Sequence, residues 1–130
     1  MGLETTSLRD DLRRVLLPAE EAIALDVSGH TDAGVLVPLY LENGELHAVF
    51  TRRRDDLRRH PGEISFPGGR KDPQDGDLCA TALREAEEEI GLPRADVEVL
   101  GALQPVPTLA TGYAVYPFVG LIEPRHEWEL

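Results

Sequence analysis

Residues 68–92, GGRKDPQDGDLCATALREAEEEIGL, are the stretch on which the fold turns. The paired glycines read as a turn, a polar loop follows, and the run Arg84-Glu85-Ala86-Glu87-Glu88-Glu89 reads as helix. On a wheel at ~100° per residue, Glu88 and Glu89 return to within roughly 60° of Glu85, because three- and four-residue steps share a face. Cys79, Leu83, Ala86 and Ile90 gather on the other side. The spacing predicts a helix with one stripe in a core and three carboxylates on the opposite stripe.

Like charges at this spacing cost a helix about a few tenths of a kcal/mol per pair. A hard divalent cation offsets that cost: magnesium takes oxygen ligands, keeps several waters and commonly shares its shell with substrate phosphates. Arg84, beside the cluster, is placed to hold one carboxylate in position. A main-chain carbonyl at the glycines is a further candidate ligand. The other reading of the same residues is a solvated acidic helix face.

Upstream, residues 33–41, AGVLVPLYL, read as a buried strand in which Pro38 favours an edge or a bulge. Asn43-Gly44 is a two-residue hairpin signal, and residues 45–51 form the returning strand, with His47 structural. An arginine-rich loop follows, and residues 63–66 read as a short strand before Pro67. Downstream, Gly91 caps the helix and Pro93 stops it. Residues 97–103 read as a strand, 105–112 as a loop, and 113–122 as a strand interrupted at Pro117. Residues 6–17 show helical spacing of Leu8, Leu12, Val15 and Leu16, with Thr6 or Ser7 as cap and Pro18 as stop. This helix reads as a packing or dimer-forming appendage, and His30 after it as a surface residue. Strands on both sides of a central helix imply a mixed sheet with helices packed on it, an α/β sandwich.

At 130 residues the chain suits one domain with one core. No apolar run approaches the ~18 residues of a membrane span, and the first residues lack a signal-peptide pattern. Cys79 is the only cysteine, which excludes an intrachain disulfide and, on the apolar stripe, suggests a buried thiol. The cytoplasm is the expected location. A net charge of −11 argues against broad nucleic-acid binding. Yet seven of the 13 basic residues, Arg52, Arg53, Arg54, Arg58, Arg59, Arg70 and Lys71, fall within 20 positions. A basic segment before an acidic, metal-suited box fits a small polyanionic substrate gripped by arginines. An exposed, solubilising loop is the alternative.

The pattern of a glycine, a spacer, then Arg84-Glu85-Ala86-Glu87-Glu88-Glu89-Ile90-Gly91-Leu92 resembles the signature box of the Nudix hydrolases. The spacer from Gly69 to Arg84 holds 14 residues, one more than the general spacing. The spacer glutamate is missing: counted forward the slot is Asp75, counted back it is Gly76, and no chemistry is rested on it. The residues before the box, Val49 through Arg54 and Leu57 through Gly69, resemble the extra motif of the coenzyme A pyrophosphatase subgroup. So do the longer loop and the later run Val115-Tyr116-Pro117-Phe118-Val119-Gly120.

The resemblance implies a Nudix-type α/β/α sandwich with a mixed sheet and the box as loop–helix–loop. It implies an N-terminal helical extension over 1–30 and the Nudix domain over 31–130. Members of the subgroup usually add a further strand and a helix past the strand that here finishes near Ile122. The domain is therefore expected to be short at its C-terminal end unless the fold closes differently. The implied activity is Mg²⁺- or Mn²⁺-dependent hydrolysis of coenzyme A, or an acyl or oxidised form, at its pyrophosphate. Glu85, Glu88, Glu89 and the Gly69 carbonyl are then the metal ligands, with Glu88 as ligand or general base and Arg84 beside it in the catalytic group. Arg52, Arg58, Arg59, His60 and Arg70 are the candidates for substrate phosphates. Two other functions remain open: a Nudix enzyme acting on ADP-ribose or NADH, and a nucleotide-binding module without catalysis.

Overall fold

The computed structural model describes residues 4–27, 30–52, 64–108 and 112–124, with the backbone alone at Arg52 and Ile64. Its centre is a parallel pair of long strands, β1 (Thr31–Glu42) and β8 (Tyr113–Leu121), in register from Thr31↔Tyr113 to Leu39↔Leu121. Each is flanked on its outer side by two shorter antiparallel strands in succession. Against β1 lie β5 (Gly68–Arg70), opposite Val35, Gly34 and Ala33, and then β2 (Glu45–Ala48), opposite residues 39–42. Against β8 lie β7 (Val106–Thr108) and then β6 (Glu98–Ala102). A separate two-stranded ribbon joins β3 (Thr51–Arg52) to β4 (Ile64–Ser65).

This arrangement explains two prolines that the sequence places awkwardly. Pro38 and Pro117 sit inside interior strands, not at an edge, and neither interrupts its strand. Each lies where its strand changes outer partner: Pro38 between the stretches covered by β5 and β2, Pro117 between those covered by β7 and β6. Each carbonyl points outward, accepting from Val49 at 3.0 Å and from Leu103 at 3.0 Å respectively. The missing N–H therefore falls in a gap where the ladder has no acceptor to lose.

The helix of the box, α3 (Leu78–Ile90), begins at Asp77, whose carboxylate accepts the Ala80 N–H at 2.8 Å, and ends at Gly91 with φ 70°. Both ends are locally encoded. Its buried stripe is Leu78, Thr81, Ala82, Ala86 and Ile90, with Cys79 and Leu83 half-buried on its flank. The small residues let the helix lie directly on β1. A Cβ at Gly34 would stand 2.4 Å from the Leu78 carbonyl. Alternate residues of the long strands, Leu36, Tyr116 and Phe118 among them, form the main core beneath α3.

The opposite face carries a smaller cluster of Leu8, Leu100 and Leu121, closed by α1 (Thr5–Val15). Helices thus cover both faces of a mixed sheet, the expected sandwich. Helix α1 is packed on β6, where Arg9 and Arg13 pair with Glu98 at 3.0 and 2.7 Å. Its N-cap is Glu4, without a side-chain cap bond, in place of Thr6 or Ser7. After Pro18 the chain forms a second short helix, α2 (Ala19–Ala24), which the sequence reading did not separate from a polar stretch. The Tyr116 hydroxyl then ties this segment to the core through the Leu25 carbonyl at 2.6 Å. Among the described residues no helix is long and apolar enough to cross a membrane.

The two-residue hairpin at Asn43-Gly44 is as the sequence predicts, with φ of 54° and 75° between the paired residues Glu42 and Glu45. Two expectations change. Part of the expected loop over 105–112 is strand β7, and the paired glycines of the box form strand β5 instead of a turn. Neither Gly68 nor Gly69 has positive φ. Glycine is required there by crowding: a Cβ on Gly68 would lie 2.6 Å from the Gly34 carbonyl and from Val35.

Candidate active site

Strand β5 brings the glycines beneath the acidic face of α3. A Cβ on Gly69 would stand 2.7 Å from the Glu85 carboxyl carbon, so the absent side chain leaves the space that this carboxylate fills. The Gly68 N–H reaches Glu89 Oε2 at 3.3 Å. Glu85 lies within hydrogen-bonding reach of Glu89, and its carboxyl is pushed up from its ordinary value. Burial is the main cause, and the neighbouring Glu88 adds to it against the pull of Arg84. Glu87 is exposed.

Arg84 runs through the middle of this group. Its Nη1 donates to Glu85 Oε1 at 3.0 Å and to both oxygens of Glu88 at 3.3 Å. Its Nε and Nη2 donate to Asp75 at 3.0 and 3.1 Å, a bidentate fork, and Nη2 also reaches the Arg70 carbonyl at 3.3 Å. Asp72 completes the pairing at 3.5 Å. The guanidinium is a positioning group: every donor edge is turned to the chain itself.

Asp75, on which the sequence pattern rests no chemistry, is the partner that holds Arg84. It is buried, and it accepts from Arg84, from the Thr81 hydroxyl at 2.8 Å and from the Asp72 N–H at 2.9 Å. The Arg84 fork, more than any other contact, holds its carboxyl well below the usual carboxylate range. The signal available was the run Asp72-Pro73-Gln74-Asp75, which closes a turn through Asp75 N–H to the Asp72 carbonyl at 3.0 Å, with proline at its second position.

Glu85, Glu88, Glu89 and Gly69 are thus brought onto one face, while the phosphate candidates are not all visible. Arg70 is exposed beside Gly69. Arg58, Arg59 and His60 lie outside the described residues, and Arg52 is described by its backbone alone, paired with Ile64. Cys79 is half-buried, its thiol pushed up to about 11 mainly by desolvation, which makes it unreactive.

The donor set of three carboxylates and a backbone carbonyl suits a hard divalent cation. As they stand, Glu85 and Glu88 face Arg84 and Glu89 faces Gly68. Among the described residues no three His, Cys, Asp or Glu side chains are grouped to hold one ion.

The comparisons with known proteins agree with this architecture. The NUDIX domain family matches residues 30–128. The chain belongs to the Nudix family. A Yersinia enterocolitica protein described as an uncharacterized Nudix hydrolase, NudL, is 41% identical over 116 residues, 89% of this chain and 58% of the relative. A Yersinia pestis protein of the same description is 49% identical over 90 residues, 69% of this chain and 44% of the relative. The chain therefore spans about half the length of the curated relatives it matches.

Among solved structures, a Caenorhabditis elegans Ap4A hydrolase in a binary complex shares the fold with a TM-score of 0.62 at 17% identity, over 77% of this chain and 72% of that one. The NUDIX domain of Shewanella oneidensis NrtR, complexed with ADP ribose, gives 0.61 at 16% identity, over 85% and 73%.

Proposed function

We propose that this domain hydrolyses the diphosphate bond of a nucleoside diphosphate derivative, with coenzyme A or an acyl or oxidised form of it as substrate. The products are 3′-phosphoadenosine 5′-phosphate and the 4′-phosphopantetheine piece. The observation that carries the hydrolase reading is the meeting of Glu85 and Glu89 with the side-chain-free strand at Gly68 and Gly69. The coenzyme A assignment is supported by the motif before the box and by the run of arginines within it.

Glu85, Glu88, Glu89 and the Gly69 carbonyl would hold Mg²⁺ or Mn²⁺. When bound, the ion lowers the pKa of a water and offsets charge on the phosphoryl oxygens. The chain's own part is positional. Asp75 fixes Arg84, and Arg84 keeps Glu85 and Glu88 from splaying under their mutual repulsion. Glu88, the most exposed of the three, is free on one side to take a proton from an attacking water. Arg70, with Arg52, Arg58, Arg59 and His60, is assigned to the substrate's phosphates, which number three in coenzyme A: two in the diphosphate and one on the ribose.

A second reading is a hydrolase of ADP-ribose or NADH; a domain of the same fold is solved with ADP ribose bound. Incubating coenzyme A, ADP-ribose and NADH separately with the protein and Mg²⁺, in heavy-oxygen water, separates the two. Cleavage of coenzyme A in preference is expected, with the label marking the attacked phosphorus. Preference for ADP-ribose rejects the coenzyme A assignment. A Glu89→Gln variant as active as the wild type removes the metal proposal.

A further inference from the structure

The ribbon of β3 and β4 is two residues long, Thr51↔Ser65 and Arg52↔Ile64. Its register, carried one step further, sets Phe50 opposite Phe66. The two rings are stacked, with centroids 4.3 Å apart and planes 23° from parallel. Phe66 covers one side of Phe50, which is nevertheless 52% exposed. The other large hydrophobic residues exposed among those described, Val15, Leu25, Leu46, Leu103 and Val106, are aliphatic.

The position of the pair gives the exposure a meaning. Phe66 is two residues before Gly68, whose N–H touches Glu89. Two residues of extended chain span at most roughly 7 Å between Cα atoms. Pro67 between them is buried and fixed by its carbonyl, which accepts the Leu36 N–H at 2.9 Å. The backbone at Phe66 therefore lies within about 7 Å of the strand residue that touches Glu89, and the stacked pair is carried on it.

We propose that Phe50, half exposed and backed by Phe66, is the stacking surface for the nucleobase of the substrate. The proposal rests on the diphosphate reading above and names the part of the ligand that the acidic and basic groups leave unaccounted for. A parallel ring pair extends naturally to a third planar ring, whereas an aliphatic thiol arm gains only area from it. Stacking on one aromatic ring contributes enough to binding to be measured singly, and it tolerates any base.

The test compares equilibrium binding of ADP and of inorganic pyrophosphate to the wild type, Phe50→Leu and Phe50→Tyr. Phe50→Leu, which keeps apolar volume and removes the ring, should weaken ADP about tenfold and leave pyrophosphate within about twofold. Phe50→Tyr should bind ADP as the wild type does. In the wild type, adenine ring protons of bound ADP should show magnetisation transfer from aromatic side-chain protons that is absent in Phe50→Leu. Undiminished ADP binding by Phe50→Leu, or equal loss of ADP and pyrophosphate, overturns the proposal. If the wild type cleaves no diphosphate yet binds ADP through Phe50, the hydrolase reading falls and the stacking surface stands.

Discussion

The carboxylate of Asp75 accepts both hydrogen bonds of the Arg84 fork, from Nε at 3.0 Å and from Nη2 at 3.1 Å. The contacts that hold Glu85 and Glu88 to Arg84 depend on this pair. Beyond Asp75 and the Arg70 carbonyl, the partners of Arg84 are carboxylates that repel one another, and its orientation lets Glu85 and Glu88 sit side by side.

Asp75→Asn should therefore cost more than one hydrogen bond. It leaves a partly buried guanidinium facing an amide, whose NH₂ cannot accept. Removing one member of a buried pair costs about 3–5 kcal/mol. Here Glu85, Glu88 and Asp72 retain part of the charge balance, and about 2–3 kcal/mol is expected from urea unfolding. Hydrolysis should fall about ten- to a hundredfold, as for other residues that orient metal ligands. Full stability in Asp75→Asn would show that the fork is dispensable.

The pH dependence of that difference has a definite sign. The folded-state pKa of Asp75 lies below its ordinary 3.8, so its contribution is complete above that value and is lost as pH falls through the lower, folded-state value. The stability gap between wild type and Asp75→Asn should be level at neutral pH and close only in strong acid. A gap that closes near neutrality would point to another group.

Glu85 titrates in the opposite sense. Burial, opposed by Arg84, raises its folded-state pKa above the ordinary 4.5, so its contribution is present below that value and lost as pH rises. Ionised Glu85 therefore burdens the metal-free fold at neutral pH. Glu85→Gln should raise its stability by up to about 1 kcal/mol, with turnover lost. Adding Mn²⁺ should reverse the order, because only the wild type gains binding energy from the ion. Urea midpoints that keep the same order with and without Mn²⁺ would exclude Glu85 as a ligand.

The Tyr116 hydroxyl offers a test of how firmly the N-terminal segment is held. Its bond to the Leu25 carbonyl, 2.6 Å long, joins residues 91 positions apart. Tyr116→Phe should cost about 1–2 kcal/mol and leave hydrolysis unchanged, since the hydroxyl touches none of the candidate site residues. Amide exchange should quicken in α2 before it quickens in α3. Loss of activity with unchanged stability would contradict this division.

The parts of the fold readable in advance are those whose cause is local. The Asn43-Gly44 turn and the Gly91 cap need particular backbone angles that few residues adopt, and the spacing of Glu85, Glu88 and Glu89 is a property of any helix. The prolines could not be read so. Whether Pro38 harms a strand depends on which neighbour faces its missing N–H, and that neighbour, the gap between β5 and β2, is assembled from residues far along the chain. Asp75 was hidden for the same reason: its worth lies in Arg84 and Thr81, which reach it only once α3 has formed. The glycines of β5 were readable as a need for close approach, but a strand and a turn make that need equally well.

Two of those glycine contacts distinguish what the fold requires from what the site requires. At Gly34 a new Cβ would meet helix backbone at the Leu78 carbonyl, 2.4 Å away, and at the Ala82 nitrogen, 3.1 Å away, with Thr81 Cβ at 3.2 Å. Backbone inside a helix cannot turn aside, so α3 must lift from β1. Gly34→Ala should cost about 2–3 kcal/mol, the usual range for overpacking, after a smaller gain from reduced freedom of the unfolded chain. At Gly69 the new Cβ would meet the far end of Glu85, which swings away by rotation about its side-chain bonds. Gly69→Ala should therefore change stability by less than about 1 kcal/mol, yet lower Mg²⁺-dependent turnover at least about tenfold by displacing a ligand. Urea unfolding and hydrolysis rates measured on both variants decide the matter. If Gly69→Ala proves the less stable and Gly34→Ala the less active at equal folded fraction, then β5 is part of the scaffold and Glu85 owes its place to something other than the missing side chain.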